Sequence, residues 1–360
     1  MAPQLIRRSA GVLATVGVLA LGACATAQEA TQEAATTPAS GQAEEACPIE
    51  VDESVTTEVE IAFQPIPNGD LVVRDAGWLE ACLPEATISW SQFASGAEVV
   101  QAFGSGSIDL GLLGSSPMTK LVSPQVGLDA QVVWIHDVIG EAESLVSRTG
   151  AQSLEDLAGA TVAVPYGSTA HFSLLNALGE AGLEPGSDLT LINLSPDAMI
   201  GAWEREEIDA AWVWNPTLEV LLEDGQIVLS SEDTAAAGTP TYDLAGATTE
   251  FITANPEFMA VWTALQDEAV RVIQEEPDRA AEAIGAQLGI APEEAATLLE
   301  GYVYLRADEQ AGEDYFGGRL GQDLVRTADF LLDQQEVAEI APPEVYEQAV
   351  YTDALDQVAP

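Results

Sequence analysis

The chain has 360 residues and is strongly acidic: 59 Asp and Glu against 11 Lys and Arg give a net charge of -48, and Lys120 is the single lysine. A surface so poor in basic side chains cannot neutralise phosphates, which excludes nucleic acid as a partner. With 47% hydrophobic residues the chain can still bury a core; disorder is excluded for most of its length, and the acidity suits solubility in an exposed or salty setting.

Residues 1–24 read as a targeting segment. Arg7 and Arg8 form a positive start, and an apolar run over 11–21 is too short to span a bilayer. The run ends in Leu21-Gly22-Ala23-Cys24, which resembles a bacterial lipobox, so Cys24 is the expected site of lipidation and acyl-chain anchoring; a plain cleaved signal with a chance cysteine is the alternative. Residues 25–45 contain no aromatic or large aliphatic side chain and cannot order themselves by burial, which makes 25–50 an expected disordered tether. Beyond it the chain is long for one core and suits two lobes. Cys47 and Cys82 form an even pair, which in an exported chain suggests a disulfide. His136 and His171 are the two histidines, and no Cys/His cluster offers a metal site, so neither metal nor cofactor is expected.

Short strand-like runs follow at 59–64, 87–90, 108–113, 131–135, 161–165, 189–194, 208–214 and 226–229, separated by amphipathic helical patterns such as 97–103 and 171–181. Strands alternating with helices predict an α/β fold with mostly parallel sheets. From 256 onward the pattern turns helical, over 256–275, 278–288, 292–300 and 318–335.

Three small, polar loops precede helical segments: Ser95-Gly96, Gly114-Ser115-Ser116-Pro117, and Tyr166-Gly167-Ser168-Thr169-Ala170-His171. Each offers backbone N–H groups and hydroxyls at a helix N-terminus, where an anion is stabilised without a cationic side chain. Ordinary N-capping accounts for any one of them equally well. In Trp212-Val213-Trp214-Asn215-Pro216 strand alternation puts both tryptophans on one face; Trp212 suits packing and Trp214, at the strand exit, suits a pocket wall. Glu143 and Asp243 are acids in small-residue surroundings, and either could meet a ligand cation. There is no G-x-S-x-G elbow, Walker loop or dinucleotide fingerprint, and the chain reads as a non-enzyme.

Taken together, several segments resemble the taurine-binding members of the periplasmic sulfonate/nitrate/taurine solute-binding proteins. The opening strand 59–64 ends in Gln64, and Phe93-Ala94-Ser95-Gly96-Ala97 is similar to that family's F-x-S-G-A. Leu113-Gly114-Ser115-Ser116-Pro117 matches L-G-S-S-P, and the run from Val164 through Ser168, Thr169 and His171 is similar to V-P-x-x-S-T-x-H. Val213-Trp214-Asn215-Pro216, Pro240-Thr241-Tyr242-Asp243 and Gly301-Tyr302-Val303-Tyr304-Leu305 resemble V-W-x-P, P-T-x-D and G-x-x-Y-L. The loop 65–69 after Gln64 departs from the pattern.

The resemblance implies a two-lobe periplasmic-binding fold, type II-like, with lobe 1 over 57–138 plus 245–345 and lobe 2 over 139–244. It implies a hinge and a central cleft that closes on a small ligand. The sulfonate would meet Ser95, Gly96, Ser115, Ser116, Ser168 and Thr169, with Gln64 and His171 also at the site. The ammonium would meet Asp243, helped by Glu143, under Trp214. The implied partners are taurine or a related small sulfonate and an ABC permease with its ATPase, the protein itself being a monomer held outside the cytoplasmic membrane. Alkanesulfonates, nitrate or a vitamin precursor are alternative ligands on the same fold. Pyrimidine-forming relatives of the fold use a lysine-bound pyridoxal phosphate, for which Lys120 would be the one anchor.

Overall fold

A computed structural model describes residues 46–359; Cys24, the targeting segment and residues 25–45 lie outside them. The described chain builds two sheets. The first contains β1 (Glu58–Phe63), β2 (Thr87–Gln92), β3 (Leu110–Gly114), β4 (Ala130–Ile139), β10 (Tyr242–Thr248) and β11 (Tyr302–Val303), in the order β11-β4-β10-β3-β1-β2. The second contains β5 (Glu143–Ser147), β6 (Thr161–Val164), β7 (Thr190–Asn193), β8 (Ala210–Trp214) and β9 (Gln226–Ser230), in the order β7-β6-β8-β5-β9. Strands β1, β2 and β3 run parallel, as do β6, β7 and β8, while β10 and β5 are antiparallel to their neighbours.

Each sheet has its own core. The first lobe packs β1, β3, β4 and β10 against the long C-terminal helices, among them Pro256–Glu275 and Arg319–Asp333. In the second lobe successive residues of β5 enter different clusters, Leu145 with Trp212 and Leu174, Val146 with Met199 and Val213. The split follows from the period-2 pleat, with both faces covered by helices. That double coverage also makes β3 and β5 buried along their whole length.

Three strands differ from the sequence reading, which had none at β5, β10 or β11. The segments Glu143–Ser147 and Tyr242–Thr248 hold few β-branched residues. They are extended because they are paired on both sides, β5 between β8 and β9 and β10 between β3 and β4, a case of tertiary context outweighing propensity. Glu143 therefore opens β5, with Gly140-Glu141-Ala142 between it and the end of β4.

The chain passes from β4 to β5 through Gly140-Glu141-Ala142, and returns through residues 237–241 into β10. The two crossings touch: Ile139 N donates to Thr241 O (3.1 Å), and Ala142 N donates to Gly301 O (3.1 Å), just before β11. A methyl group on Gly301 would lie 2.5 Å from Ala142 N, so glycine is needed there for close approach.

Cys47 and Cys82 are joined by a disulfide, 35 residues apart in sequence. Residues 46–50, the end of the span read as a tether, are fastened by it to the helix Trp78–Cys82. Reduction with the fold otherwise intact is expected to lower unfolding free energy by about 4 kcal/mol, the chain-entropy value for a loop of this length. Denaturant midpoints with and without reductant measure it; identical midpoints would show that the link contributes nothing.

Candidate functional site

Three helix N-termini converge where the two sheets meet. The helix Gly96–Ser105 follows β2, Ser115–Val122 follows β3, and Thr169–Ala181 follows β6. The first N–H groups of each lack an intrahelical acceptor and carry the positive end of the dipole. They border a narrow cavity of about 20 Å³, open to solvent at one part. Gly96, Gly114 and Pro117 bring the first-lobe helix starts to this cavity, and Ser168 and Thr169 bring the second-lobe one. No lysine or arginine lines it, so an anion here would meet no cationic side chain.

Of the residues singled out from sequence, Gln64, Gly96, Glu143, Ser168, Thr169, Trp214 and Asp243 line this cavity. The hydroxyls of the 168–169 pair are already in use. Ser168 Oγ donates to Pro165 O (2.6 Å) and accepts from His171 N (3.1 Å), while Thr169 Oγ1 donates to Glu143 Oε2 (2.5 Å). Most N–H groups of this loop are in use as well: Gly167 N donates to His171, Ser168 N to Pro165 O and His171 N to Ser168 Oγ. Gln64 Nε2 donates to Leu112 O (3.2 Å), tying it to β3. Trp214 is half-buried at the end of β8, while Trp212 is fully buried in the second-lobe core.

Ser95, Ser115, Ser116 and His171 do not line the cavity. Ser95 is the N-cap of its helix, half-exposed, with no side-chain cap bond. Ser115 Oγ instead accepts from Tyr242 N (3.3 Å), fastening the start of β10. Ser116 Oγ is buried without a hydrogen-bond partner. His171 points away: it stacks on Tyr166 (ring centroids 4.5 Å apart) and its Nδ1 accepts from Gly167 N (3.3 Å). That side borders a larger, shallower hollow outside the cleft, shared with Glu336. Burial pushes the His171 imidazole down to about 4, so it is neutral and acts by shaping the 166–168 turn. Lys120 Nζ pairs with Glu336 (2.8 Å) and does not reach the cavity, which removes it as a cofactor anchor.

Sequence reasoning missed Asp137. It sits on β4 directly beside Asp243 of β10 in register, buried, both carboxyl oxygens without a hydrogen-bond partner. Asp137, Glu143 and Asp243 thus form a buried acidic cluster, and among the described residues no basic side chain pairs with any of them. Burial raises all three. Glu143 rises to about 7, although hydrogen bonds from Thr169 and Ser231 hold it back. Asp243 rises to about 8 through burial and then the nearby Glu143 carboxylate. Asp137 is raised as well, by burial and then by Asp243 and Glu143. Its one sequence signal was its place at the end of a strand leading to the crossing.

These shifts set a stability prediction. A carboxyl whose folded pKa is raised keeps its proton when the unfolded chain, near 3.8 for Asp and 4.5 for Glu, has lost it. The folded state then binds more protons, so its stability falls as pH rises from those values through about 8. The melting temperature of the ligand-free protein should drop between about pH 5 and about pH 9, and the drop should shrink in Asp243→Asn. A flat profile in the unsubstituted protein would contradict the shifts.

Two helix-covered sheets, paired crossings between them and a cavity where they meet define a two-lobed α/β fold of the periplasmic-binding type. The chain belongs to the NMT1-like family, whose model matches residues 53–288. It is similar to the taurine-binding periplasmic protein of Escherichia coli K12, 35% identical over 262 residues, which cover 71% of this chain and 80% of that one. It is also similar to a putative aliphatic sulfonates-binding protein of the same organism, 29% identical over 54% of this chain and 60% of that one. The fold matches that of the alkanesulfonate-binding protein from Xanthomonas axonopodis pv. citri bound to MOPS. The TM-score is 0.67 at 20% identity, covering 82% of this chain and 98% of the other.

Proposed function

We propose that this chain is the exported substrate-binding protein of an ABC importer and that it captures taurine, 2-aminoethanesulfonate, between its lobes. The observation that carries this reading is that one cavity is lined both by helix N-termini and by buried carboxyls without a basic partner. A small zwitterion offers an anion to the helix N-termini and a cation to the carboxyls at once. A simple alkanesulfonate meets the dipoles and leaves buried carboxyls unpaired, which costs several kcal/mol or holds them protonated. Among the described residues no group of three or more His, Cys, Asp or Glu is arranged to hold a metal ion.

The names of the relatives, a taurine-binding periplasmic protein and a putative aliphatic sulfonates-binding protein, support sulfonate capture outside the cytoplasm; the importer's permease and ATPase are the partners this reading assigns. Lipidation of Cys24 would hold the protein on the outer face of that membrane, as a monomer on a tether.

Calorimetric titration with taurine, ethanesulfonate and nitrate tests the ligand. Tight binding preferring taurine is expected. Heat with ethanesulfonate or nitrate but not with taurine would keep the carrier and overturn the zwitterion.

A further inference from the structure

Tyr302 opens β11, which pairs with the end of β4 at Ile139, and its side chain lines the same cavity as Glu143 and Asp243. The residue is 7% exposed, and its hydroxyl is buried without a hydrogen-bond partner. An orphaned buried phenol is costly, and such groups ordinarily find a partner. The other polar side chains of the cavity contrast with it. The Thr169 hydroxyl serves Glu143, that of Ser168 serves Pro165 O, and the Gln64 amide serves Leu112 O. Two residues along, Tyr304 donates its hydroxyl to Pro67 O at 2.8 Å. Tyr302 is thus the cavity-lining hydroxyl left open, and it stands beside the acidic cluster. Burial and the neighbouring carboxylates push its own ionisation well up, so it remains a neutral phenol with lone pairs to offer.

A primary ammonium carries three N–H donors. Resting on the zwitterion reading above, we infer that Tyr302 is a specificity-determining residue whose phenol oxygen takes the third N–H of a primary ammonium, Glu143 and Asp243 taking the other two. A secondary ammonium has N–H groups enough for the two carboxylates and none for the phenol. A quaternary one has none at all. The site therefore selects unmethylated aminosulfonates, and the selection comes from Tyr302 rather than from the charge of the cluster, which all three ligands satisfy alike.

The test titrates the unsubstituted protein and Tyr302→Phe with taurine, N-methyltaurine, N,N,N-trimethyltaurine and ethanesulfonate. The unsubstituted protein should bind taurine roughly tenfold more tightly than N-methyltaurine, and the trimethyl compound more weakly still. Tyr302→Phe keeps the ring. It should weaken taurine roughly tenfold while leaving N-methyltaurine and ethanesulfonate where they were, so that the preference collapses. Equal losses for taurine and N-methyltaurine would mean that the phenol only packs, and would overturn the assignment. So would indifference of the unsubstituted protein to methylation, a measurement that does not depend on the variant folding. Silence of the unsubstituted protein toward every aminosulfonate would instead bring down the zwitterion reading and this one with it.

Discussion

Asp243→Asn is expected to weaken taurine binding by a hundredfold or more while ethanesulfonate binding holds or improves. Removing one partner of a buried, hydrogen-bonded charge pair costs about 2–5 kcal/mol, which is roughly thirty- to several thousandfold in affinity. Asparagine keeps the shape and removes the charge. Among the described residues no donor lies within hydrogen-bond distance of the Asp243 carboxylate, so the ligand-free fold gives up no bond in the exchange. It gains relief instead, because Asp243 stands beside Glu143 and Asp137 and all three repel one another when ionised. The opposite responses of the two sulfonates separate a lost ammonium contact from a damaged protein. Taurine affinity unchanged in Asp243→Asn would sink the ammonium assignment. The raised carboxyls add a pH signature: taurine should bind more tightly as pH rises through about 7 to 8, where Glu143 and Asp243 ionise, until the amine of the ligand itself loses its proton.

Gly114→Ala is expected to weaken binding roughly ten- to hundredfold without lowering thermal stability. Gly114 ends β3 on the first lobe, and its backbone (φ -67, ψ 164) is one that alanine adopts freely. A methyl there would lie 2.5 Å from Cγ2 of Thr169, on the second lobe. The β-branched Thr169 cannot swing aside at low cost, and its hydroxyl is held by Glu143. The added methyl would therefore hold the lobes apart, opposing the closed geometry in which Phe172 meets Phe330 (5.0 Å) and His171 approaches Glu336 (3.8 Å). A competent state populated at only a few per cent lowers apparent affinity by that fraction. The check is a double substitution. Thr169→Ser deletes the offending methyl and keeps the hydroxyl, so Gly114→Ala combined with Thr169→Ser should recover most of the lost affinity. No recovery would mean that Gly114 matters for another reason.

Much of this protein is written in local sequence. The alternation of apolar runs and amphipathic segments determined the α/β class, because burial on both faces of a sheet demands continuous apolar strands flanked by helices. The three small polar loops marked the helix starts that border the cavity, since small polar residues favour helix N-termini wherever the helix sits. Trp214 was legible as a wall and Trp212 as core from strand alternation and position alone.

Other features exist only because the chain is folded. Strands β5 and β10 are extended by neighbours on either side, and nothing in Glu143–Ser147 or Tyr242–Thr248 shows this in isolation. Hydroxyls that look alike in sequence divide in space: Ser115 holds β10, Thr169 holds Glu143 and Ser168 caps its own helix. His171, drawn into the site by its motif, faces the outer hollow because its helix turns that side away from the cleft. Asp137, Glu143, Asp243 and Tyr302 stand on β4, β5, β10 and β11 and share no local pattern. Among 59 acids Glu143 and Asp243 stood out in sequence by their neighbourhood and by the family resemblance, and Asp137 did not. What distinguishes them is removal from water beside one another, a property of distance and dielectric that arises when the two crossings and β11 bring them to one place.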